Sequence, residues 1–207
     1  MSLLALACVA PAYADSQLWL EPGVGVAPVR RVDVDLTGQV RFDQDVTRFS
    51  AFLPELTARY RIERWLRVGG GYRLEYERDA YGQLVIRDRL SADARIRVDS
   101  ARIRVDYRLM VAEQRRPMSN NVFRTVLRNR VDVSYRRLGL WRPFGGVEVF
   151  YMLDDLDKLE YDRTRLTAGT TYKAKDFDID MFVRAEIHAD PDEPTYAILG
   201  LGYHYQL

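Results

Sequence analysis

The C-terminal thirteen residues, 195–207 (TYAILGLGYHYQL), alternate between two classes of side chain up to the last position. Apolar and aromatic residues occupy one set of alternate positions, namely Leu199, Leu201, Tyr203, Tyr205 and Leu207. Small and polar residues occupy the other set, namely Gly200, Gly202, His204 and Gln206. Because successive side chains of a β-strand point to opposite faces, this period of two predicts a strand with one apolar face. A membrane-spanning barrel strand needs that pattern, and a soluble protein seldom ends on it.

The same alternation recurs along most of the chain, with turn residues between the segments. In residues 101–111 (ARIRVDYRLMV), apolar residues alternate with Arg102, Arg104, Asp106 and Arg108, which a helix would scatter around all its sides. We expect strands in residues 17–26, 32–42, 52–62, 66–77, 90–98, 101–111, 131–135, 141–151, 164–172, 177–188 and 195–207.

The pattern predicts an all-β fold, an antiparallel up-and-down transmembrane β-barrel of ten to twelve strands with a polar lumen rich in Arg, Asp and Glu. Eleven segments are counted, but bacterial single-chain barrels normally have an even number, with both termini in the periplasm. We therefore expect ten or twelve strands. Either residues 17–26 are not a full strand, or residues 114–122 contain a short additional one.

Connection lengths predict an orientation, because such barrels have short periplasmic turns and longer external loops. The short connections are residues 99–100, 137–140 and 173–176, and the longer ones are 79–83, 113–121, 154–158 and 189–195. Outward aromatic residues toward strand ends are expected to form interfacial girdles. These residues are Tyr72, Tyr76, Trp141, Tyr151, Tyr172, Tyr203 and Tyr205.

The N-terminal residues 1–14 read as a signal peptide, because an apolar run at residues 3–9 precedes an Ala-x-Ala cleavage site at residues 12–14. The positive n-region is missing, which we interpret as a start codon placed too late. Cys8, the only cysteine, leaves no thiol after cleavage, and a lipoprotein site at Cys8 is the second interpretation. Residues 15–207 are then expected to form one barrel domain.

Composition and charge exclude two classes of protein. No stretch of eighteen apolar residues occurs, so a helical membrane protein is excluded. The net charge of +1 argues against nucleic-acid binding, which usually needs a basic excess.

Several of these segments resemble one known family, the uncharacterised bacterial outer-membrane barrels grouped as domain of unknown function 2490. The resembling stretches are residues 18–20 (LWL), 66–77 (LRVGGGYRLEYE), 127–135 (LRNRVDVSY), 143–151 (PFGGVEVFY) and 196–207. The resemblance implies the fold and an outer-membrane location, and it carries no known activity. It also implies recognition of the C-terminal strand by the barrel assembly machinery, although Leu207 stands where such signals usually have phenylalanine.

The inward positions carry many arginines interleaved with acids, and these are the candidate pore-lining residues. We interpret them as a lattice of ion pairs filling the barrel, in a structural protein or narrow pore. The alternative is an arginine-lined constriction, which would make an anion-preferring channel for small solutes. The candidates are Arg67, Arg73, Glu75, Asp93, Arg95, Arg97, Arg102, Arg104, Asp106, Arg108, Arg130, Asp132, Glu148, Arg163, Arg165, Asp180, Arg184 and Glu186.

Enzymatic and metal chemistry have little support in the sequence, and we predict no catalytic residue, no metal site and no cofactor. An outer-membrane lipid hydrolase would have to use His188, with Glu186 on the same face, but no serine is recognisably placed as its nucleophile. The acidic residues 154–157 and 190–193 do not fit a calcium-loop pattern. The glycines at 69–71 and 145–146 are not followed by helices, so they are expected to relieve crowding in strands.

A soluble lipocalin-like barrel remains a competing fold, since it would turn the apolar face inward and the arginine face toward water. The signal peptide, the aromatic pattern and the C-terminal strand favour the membrane barrel. We therefore predict a monomer in the bacterial outer membrane, surrounded by lipid and lipopolysaccharide, with no nucleic-acid partner.

Overall fold

The computed structural model describes residues 15–43, 46–79, 81–115, 123–136, 138–154 and 158–207, so the predicted signal peptide lies outside the described residues. Within these ranges no helix is long and apolar enough to cross a membrane. The described residues form eleven β-strands of 11 to 16 residues. They are β1 (Asp15–Val29), β2 (Val32–Asp43), β3 (Arg48–Arg61), β4 (Leu66–Arg78), β5 (Leu84–Asp99), β6 (Ile103–Arg115), β7 (Phe123–Tyr135), β8 (Trp141–Asp154), β9 (Lys158–Lys173), β10 (Phe177–His188) and β11 (Tyr196–Gln206).

The strands form one closed barrel in which each pairs with its neighbours in sequence and β1 pairs with β11. Consecutive strands are antiparallel, whereas the closing pair is parallel, with Asp15 opposite Tyr196 and Gly25 opposite Gln206. An odd number of up-and-down strands requires this arrangement, since the first and last strands then run in the same direction. The all-β, charge-filled barrel predicted from the sequence is confirmed.

The expectation of an even strand count is wrong for the described residues, which contain eleven strands. Residues 17–26 belong to a full strand, because β1 pairs along its length with both β2 and β11. The proposed extra strand in residues 114–122 is not found in its described part, where β6 continues to Arg115, and residues 116–122 lie outside the described residues. As a result β1 starts at the opposite end of the barrel from the end of β11.

The connections that the sequence divides into short and long lie at opposite ends of the barrel, although the one after β8 is shorter than predicted. The short connections after β5, β7 and β9 lie at the end where β11 finishes, which we call the short-turn end. The connections after β4, β6 and β10, of five to seven residues, lie at the other end, called the long-loop end, together with the three-residue connection after β8. A tight two-residue turn also joins β1 to β2 at the short-turn end, since Val29 pairs with Val32.

Alternate residues of each strand differ in exposure, and the apolar set faces outward. On β10 and β11, Val183 and Leu199 are each 58% exposed, while the adjacent Phe182 and Ile198 are 6% and 3% exposed. Large apolar side chains are exposed on the outer wall all around the barrel. This arrangement rules out the lipocalin-like alternative, which requires the apolar face inside.

Aromatic contacts occur on the wall near both ends of the barrel. At the short-turn end, Trp141 contacts Tyr172 with ring centroids 5.1 Å apart, and Phe177 stacks on Tyr203 at 5.7 Å. At the long-loop end, Phe52 stacks on Tyr76 at 6.4 Å and Tyr151 contacts Tyr161 at 6.2 Å. Tyr72 differs from the expectation, because it lies at the middle of β4 and not toward its end.

Inward glycines make room for large side chains of neighbouring strands. A Cβ on Gly200 would lie 2.0 Å from the Phe182 ring, and one on Gly146 would lie 2.2 Å from Oδ1 of Asp132. A Cβ on Gly69 would lie 2.7 Å from Cγ of Arg59. The predicted role of these glycines in relieving crowding is therefore confirmed at Gly69 and Gly146.

Candidate functional site: the charged lumen

Two cavities occupy the lumen among the described residues. The larger, of about 1140 Å³, reaches the long-loop end, where Arg87, Arg124 and His188 line it. Eleven arginines and ten carboxylates border this cavity, so its lining is nearly balanced in charge. The smaller cavity, of about 260 Å³, lies toward the short-turn end, where Ser134 and Phe144 line it.

Glu148 on β8 and Glu186 on β10 link the arginines of β7 and β9 into one network of ion pairs. Glu148 accepts hydrogen bonds from Nε and Nη2 of Arg128, at 3.0 and 2.5 Å, and lies 3.6 Å from Arg165. Glu186 is paired with Arg165 and lies 3.5 Å from Nε of Arg163. Both glutamates are buried, at 6% and 8% exposure, so each carboxylate keeps buried guanidinium groups neutralised.

A second part of the lattice joins β4 to its neighbours. Glu75, 3% exposed, lies 3.3 Å from Arg89 and accepts a hydrogen bond from Gln114. Glu77 is 2.7 Å from Arg87. These contacts connect β4, β5 and β6 across the inner wall.

Several arginines also lie over aromatic rings that point into the lumen. The guanidinium carbons of Arg128, Arg163 and Arg165 lie 4.4 to 4.7 Å from the centroid of Phe150. Arg41 and Arg184 lie 4.2 and 4.9 Å from the centroid of Trp19. Such cation–π contacts orient guanidinium groups without neutralising them.

Toward the short-turn end, aspartates replace glutamates as the acids of the lattice. Asp93 is 2.6 Å from Arg95 and 3.4 Å from Arg108, and Arg97 is 2.7 Å from Asp106. Further pairs of this kind are Arg59–Asp35, Arg67–Asp33, Arg61–Asp33, Arg130–Asp132 and Lys173–Asp178.

Comparison with known families identifies the barrel with a group that has no assigned activity. Residues 16–194 match the family described as "Protein of unknown function (DUF2490)". The chain belongs to this family. The match confirms the family that the sequence resembles, and residues 196–207 lie beyond the matched range. No curated protein and no solved structure matches the chain.

Most predicted pore-lining residues of this DUF2490 barrel border the cavities. Ten of them line the larger cavity: Arg73, Glu75, Arg108, Arg130, Glu148, Arg163, Arg165, Asp180, Arg184 and Glu186. Asp132 lines the smaller one. Six others, Arg67, Asp93, Arg95, Arg97, Arg104 and Asp106, form ion pairs outside the cavity linings. Arg102 differs from the expectation, because it lies in the exposed turn before β6 and not within a strand.

Sequence reasoning missed other lumen residues, notably Trp19, Glu21, Arg41 and Arg89. For Trp19 and Glu21, the alternation of positions 17, 19, 21 and 23 was a usable signal. A tryptophan on the polar face obscured it. For Arg89, the outward Asp88 interrupts the apolar phase at the start of β5. Asp88 is 2.8 Å from Arg115 at the long-loop end.

The two histidines are held by carboxylates. Nε2 of His188 is 3.3 Å from Glu186, and Nδ1 contacts Glu193 of the β10–β11 loop. Nε2 of His204 is 3.3 Å from Asp35. A hydrolase would need a serine beside one of these rings. Ser134 lines the smaller cavity, near the opposite end of the barrel from His188, so the structure does not bring the Ser134 hydroxyl and the His188 ring together.

The acidic segments are not arranged as a metal site in the described part of the chain. No group of three or more His, Cys, Asp or Glu side chains there is arranged to hold a metal ion. In residues 190–193, Asp190 accepts a hydrogen bond from the backbone N–H of Asp192 and so organises its own loop. Of residues 154–157, 155–157 lie outside the described residues.

Proposed function

We propose that this DUF2490 barrel is a monomeric protein of the Gram-negative outer membrane, acting as a structural protein or narrow pore whose lumen is filled by ion pairs. The observation that carries the proposal is the opposite chemistry of the two faces. Exposed leucines and valines cover the outer wall, whereas paired guanidinium and carboxylate groups fill the inside. Contact with lipid would remove this apolar surface from water, which is otherwise unfavourable for a monomer.

Two further features support a membrane setting. The strands of 11 to 16 residues are long enough to cross a hydrocarbon core, which needs about 9–11 tilted residues. Aromatic contacts near both ends of the wall fit interfacial girdles. The short turns would then face the periplasm and the long loops the outside, in contact with lipopolysaccharide. The barrel assembly machinery would recognise β11.

Single-channel recording of the refolded protein in a planar bilayer tests this proposal, after heat-dependent gel mobility has confirmed a folded barrel. We expect either small discrete steps or no steps, because paired charges occupy much of the lumen. A large conductance like that of a general porin would contradict an ion-paired interior. Failure of the folded barrel to enter lipid would contradict the membrane location.

An anion-preferring channel is the second candidate, and Arg184 favours it. This arginine borders both cavities, and no described carboxylate lies within ion-pair distance of it. Its Nε donates to Thr167 Oγ1 at 3.1 Å. An Arg184→Gln variant should lose any anion preference measured as a reversal potential in a salt gradient, whereas Arg61→Gln outside the cavities should keep it.

We also propose that the barrel has no enzymatic activity. A lipid hydrolase would need a serine nucleophile beside His188, and the contacts of its ring are with Glu186, Glu193 and Tyr196. A short-chain ester assay on the folded protein checks this, and a rate abolished by His188→Gln would contradict the proposal.

A further inference from the structure

Four residues border both lumen cavities: Glu21 of β1, Arg130 of β7, and Asp180 and Arg184 of β10. They therefore mark the junction through which the two cavities adjoin. Two of the four are carboxylates and two are guanidinium groups. The junction thus presents both signs of charge to anything that occupies it.

The two carboxylates lie on either side of Gly202. In the strand register, Gly202 of β11 pairs with Glu21 on one side and with Asp180 on the other. Because Gly202 has no side chain, nothing on β11 separates the two acids at this level. A Cβ added there would lie 3.6 Å from Oδ2 of Asp180.

Both carboxylates have neutral hydrogen-bond donors as their direct partners. Glu21 accepts from Nε2 of Gln39, and Asp180 accepts from Oγ1 of Thr171, each at 2.5 Å. No described Arg, Lys or His lies within ion-pair distance of either one. In this respect they differ from Glu148 and Glu186, whose charges are compensated by buried guanidinium groups.

The guanidinium groups at the junction are fixed in different ways. Nε and Nη2 of Arg130 donate hydrogen bonds to the Asp132 carboxylate, at 2.6 and 2.9 Å. Arg184 lies over the Trp19 and Phe182 rings, at 4.9 and 4.6 Å, and has no described carboxylate partner at ion-pair distance. β7 lies across the closed barrel from β1, so Arg130 and Glu21 occupy opposite walls.

At the junction Arg184 shares β10 with Asp180, and only Arg130 lies on the opposite wall. Around the larger cavity the charges divide more clearly between two walls. On the wall formed by β5–β9, eight arginines and two carboxylates line it. On the wall formed by β10, β11 and β1–β4, three arginines and seven carboxylates line it. A basic wall therefore faces an acidic wall, and the field between them runs across the lumen.

We propose that the junction is a binding site for a small zwitterion, a solute that carries one ammonium and one carboxylate group. The ammonium group binds between Glu21 and Asp180, and the carboxylate group binds Arg184 and the free edge of Arg130. The site rests on the proposed narrow-pore function and names the solute class for its lumen.

Charge complementarity selects this class over simple ions. A cation at the junction is attracted by the two acids and repelled by the two arginines. An anion is attracted by the arginines and repelled by the acids. A zwitterion aligned with the field interacts favourably with both walls at once. Charge-assisted hydrogen bonds at its two ends are the stronger kind, and a fixed pair of partners adds specificity.

Calorimetric titration of the folded, full barrel in detergent micelles tests the site, with L-alanine as the probe. Lactamide is the uncharged match, because it has the same number of heavy atoms. We expect L-alanine to bind at least about tenfold more tightly than lactamide, since losing one charged hydrogen bond alone costs about that factor. Equal binding of the two, or no binding to a folded barrel, would overturn the proposal.

Variants assign the binding to the junction. Glu21→Gln and Asp180→Asn should each weaken L-alanine binding about tenfold or more. Because neither acid compensates a cation directly, both variants should fold. Asp33→Asn is the control, since Asp33 pairs with Arg61 and Arg67 and lines neither cavity. Unchanged binding in both junction variants would overturn the site. Competition by acetate or methylammonium as strong as that by L-alanine would overturn the zwitterion class.

The experiments distinguish failure of the proposed pore function from failure of the proposed binding site. A barrel that conducts ions but does not bind L-alanine overturns only the site. One that binds L-alanine in the junction but admits no solute into liposomes overturns only the pore. A chain that forms no heat-modifiable barrel at all overturns both.

Discussion

The two halves of the lumen use different acids to hold their arginines. Near the long-loop end the inward carboxylates of the strands are glutamates, whereas near the short-turn end they are aspartates. Asp43, the last residue of β2, and Asp162, the extra residue of the bulge between β8 and β9, are exceptions. Glu21 and Asp180 lie at one level between the two halves, where both pair with Gly202. The glutamates are Glu55, Glu75, Glu77, Glu148 and Glu186, and the aspartates are Asp33, Asp35, Asp93, Asp106, Asp132 and Asp178.

The difference follows the space that each half has to fill. All five glutamates line the larger cavity, where a longer side chain reaches guanidinium groups on one or two other strands. At the short-turn end some pairs are made within one strand, two residues apart, as for Asp93 with Arg95 and Asp132 with Arg130. Of the six aspartates only Asp178 borders the larger cavity, so the longer acids mostly accompany the wider space.

Removal of Glu148, a buried acid shared by two arginines, should have the largest effect on the free energy of unfolding. Glu148→Gln leaves the buried Arg128 and Arg165 without their common carboxylate, so we expect a loss of about 3–5 kcal/mol of unfolding free energy. The measurement is urea unfolding from lipid vesicles, followed by gel mobility. The matched change at the other end is Asp106→Asn, whose partner Arg97 and the acid itself are each 30% exposed. We expect it to cost about 1 kcal/mol or less, and equal losses in the two variants would contradict the contrast between the halves.

Exchange of acid length tests the role of space directly. Glu75→Asp withdraws the carboxylate from Arg89 and Gln114, and we expect a loss of about 1.5–3 kcal/mol in the same unfolding assay. Asp132→Glu adds a methylene against Gly146, with an expected cost of about 1–3 kcal/mol. Glu160→Asp, on an exposed side chain of β9, is the control. If Glu75→Asp is as stable as this control, side-chain length does not follow lumen space.

A glycine pair on β8 separates the crowded inner face from the open outer face. Gly146→Ala would place its methyl 2.2 Å from Asp132, and we expect a loss of about 1–3 kcal/mol. Gly145→Ala points the same methyl outward, where the nearest atom is 3.7 Å away. Vesicle unfolding should show little change for Gly145→Ala. A larger loss there than for Gly146→Ala would reverse the assignment of the two faces.

The smallest effect is expected at the rim of the short-turn end. Arg104 is 2.7 Å from Asp99, whose side chain is 43% exposed and also contacts Arg136 at 2.9 Å. Arg104→Gln should therefore change the unfolding free energy by about 1 kcal/mol or less. Any change should shrink further at high salt, since solvent screens exposed pairs. A large, salt-independent loss would show that this pair belongs to the buried lattice.

The sequence predicts the faces of the barrel well, because alternation at a period of two is a local property of each strand. It places Glu148, Arg165 and Glu186 inside and Val183 and Leu199 outside, as the structure does. Pairing partners, the parallel closure and the eleven-strand count depend on register between strands, which alternation does not encode. The junction was missed for this reason, since Glu21 and Asp180 are 159 positions apart and meet only through Gly202.

Site-specific fluorescence quenching tests the central claim, that the apolar face contacts lipid and the charged face lines the lumen. Cys8 is the only cysteine and lies in the predicted signal peptide, so single cysteines can be introduced into the mature chain without further changes. A probe on Leu201→Cys should be quenched by a quencher carried in the lipid, and one on Thr167→Cys, which lines the smaller cavity, should not. Quenching at Thr167 with none at Leu201 would mean that the faces are reversed, and quenching at neither position would contradict membrane insertion.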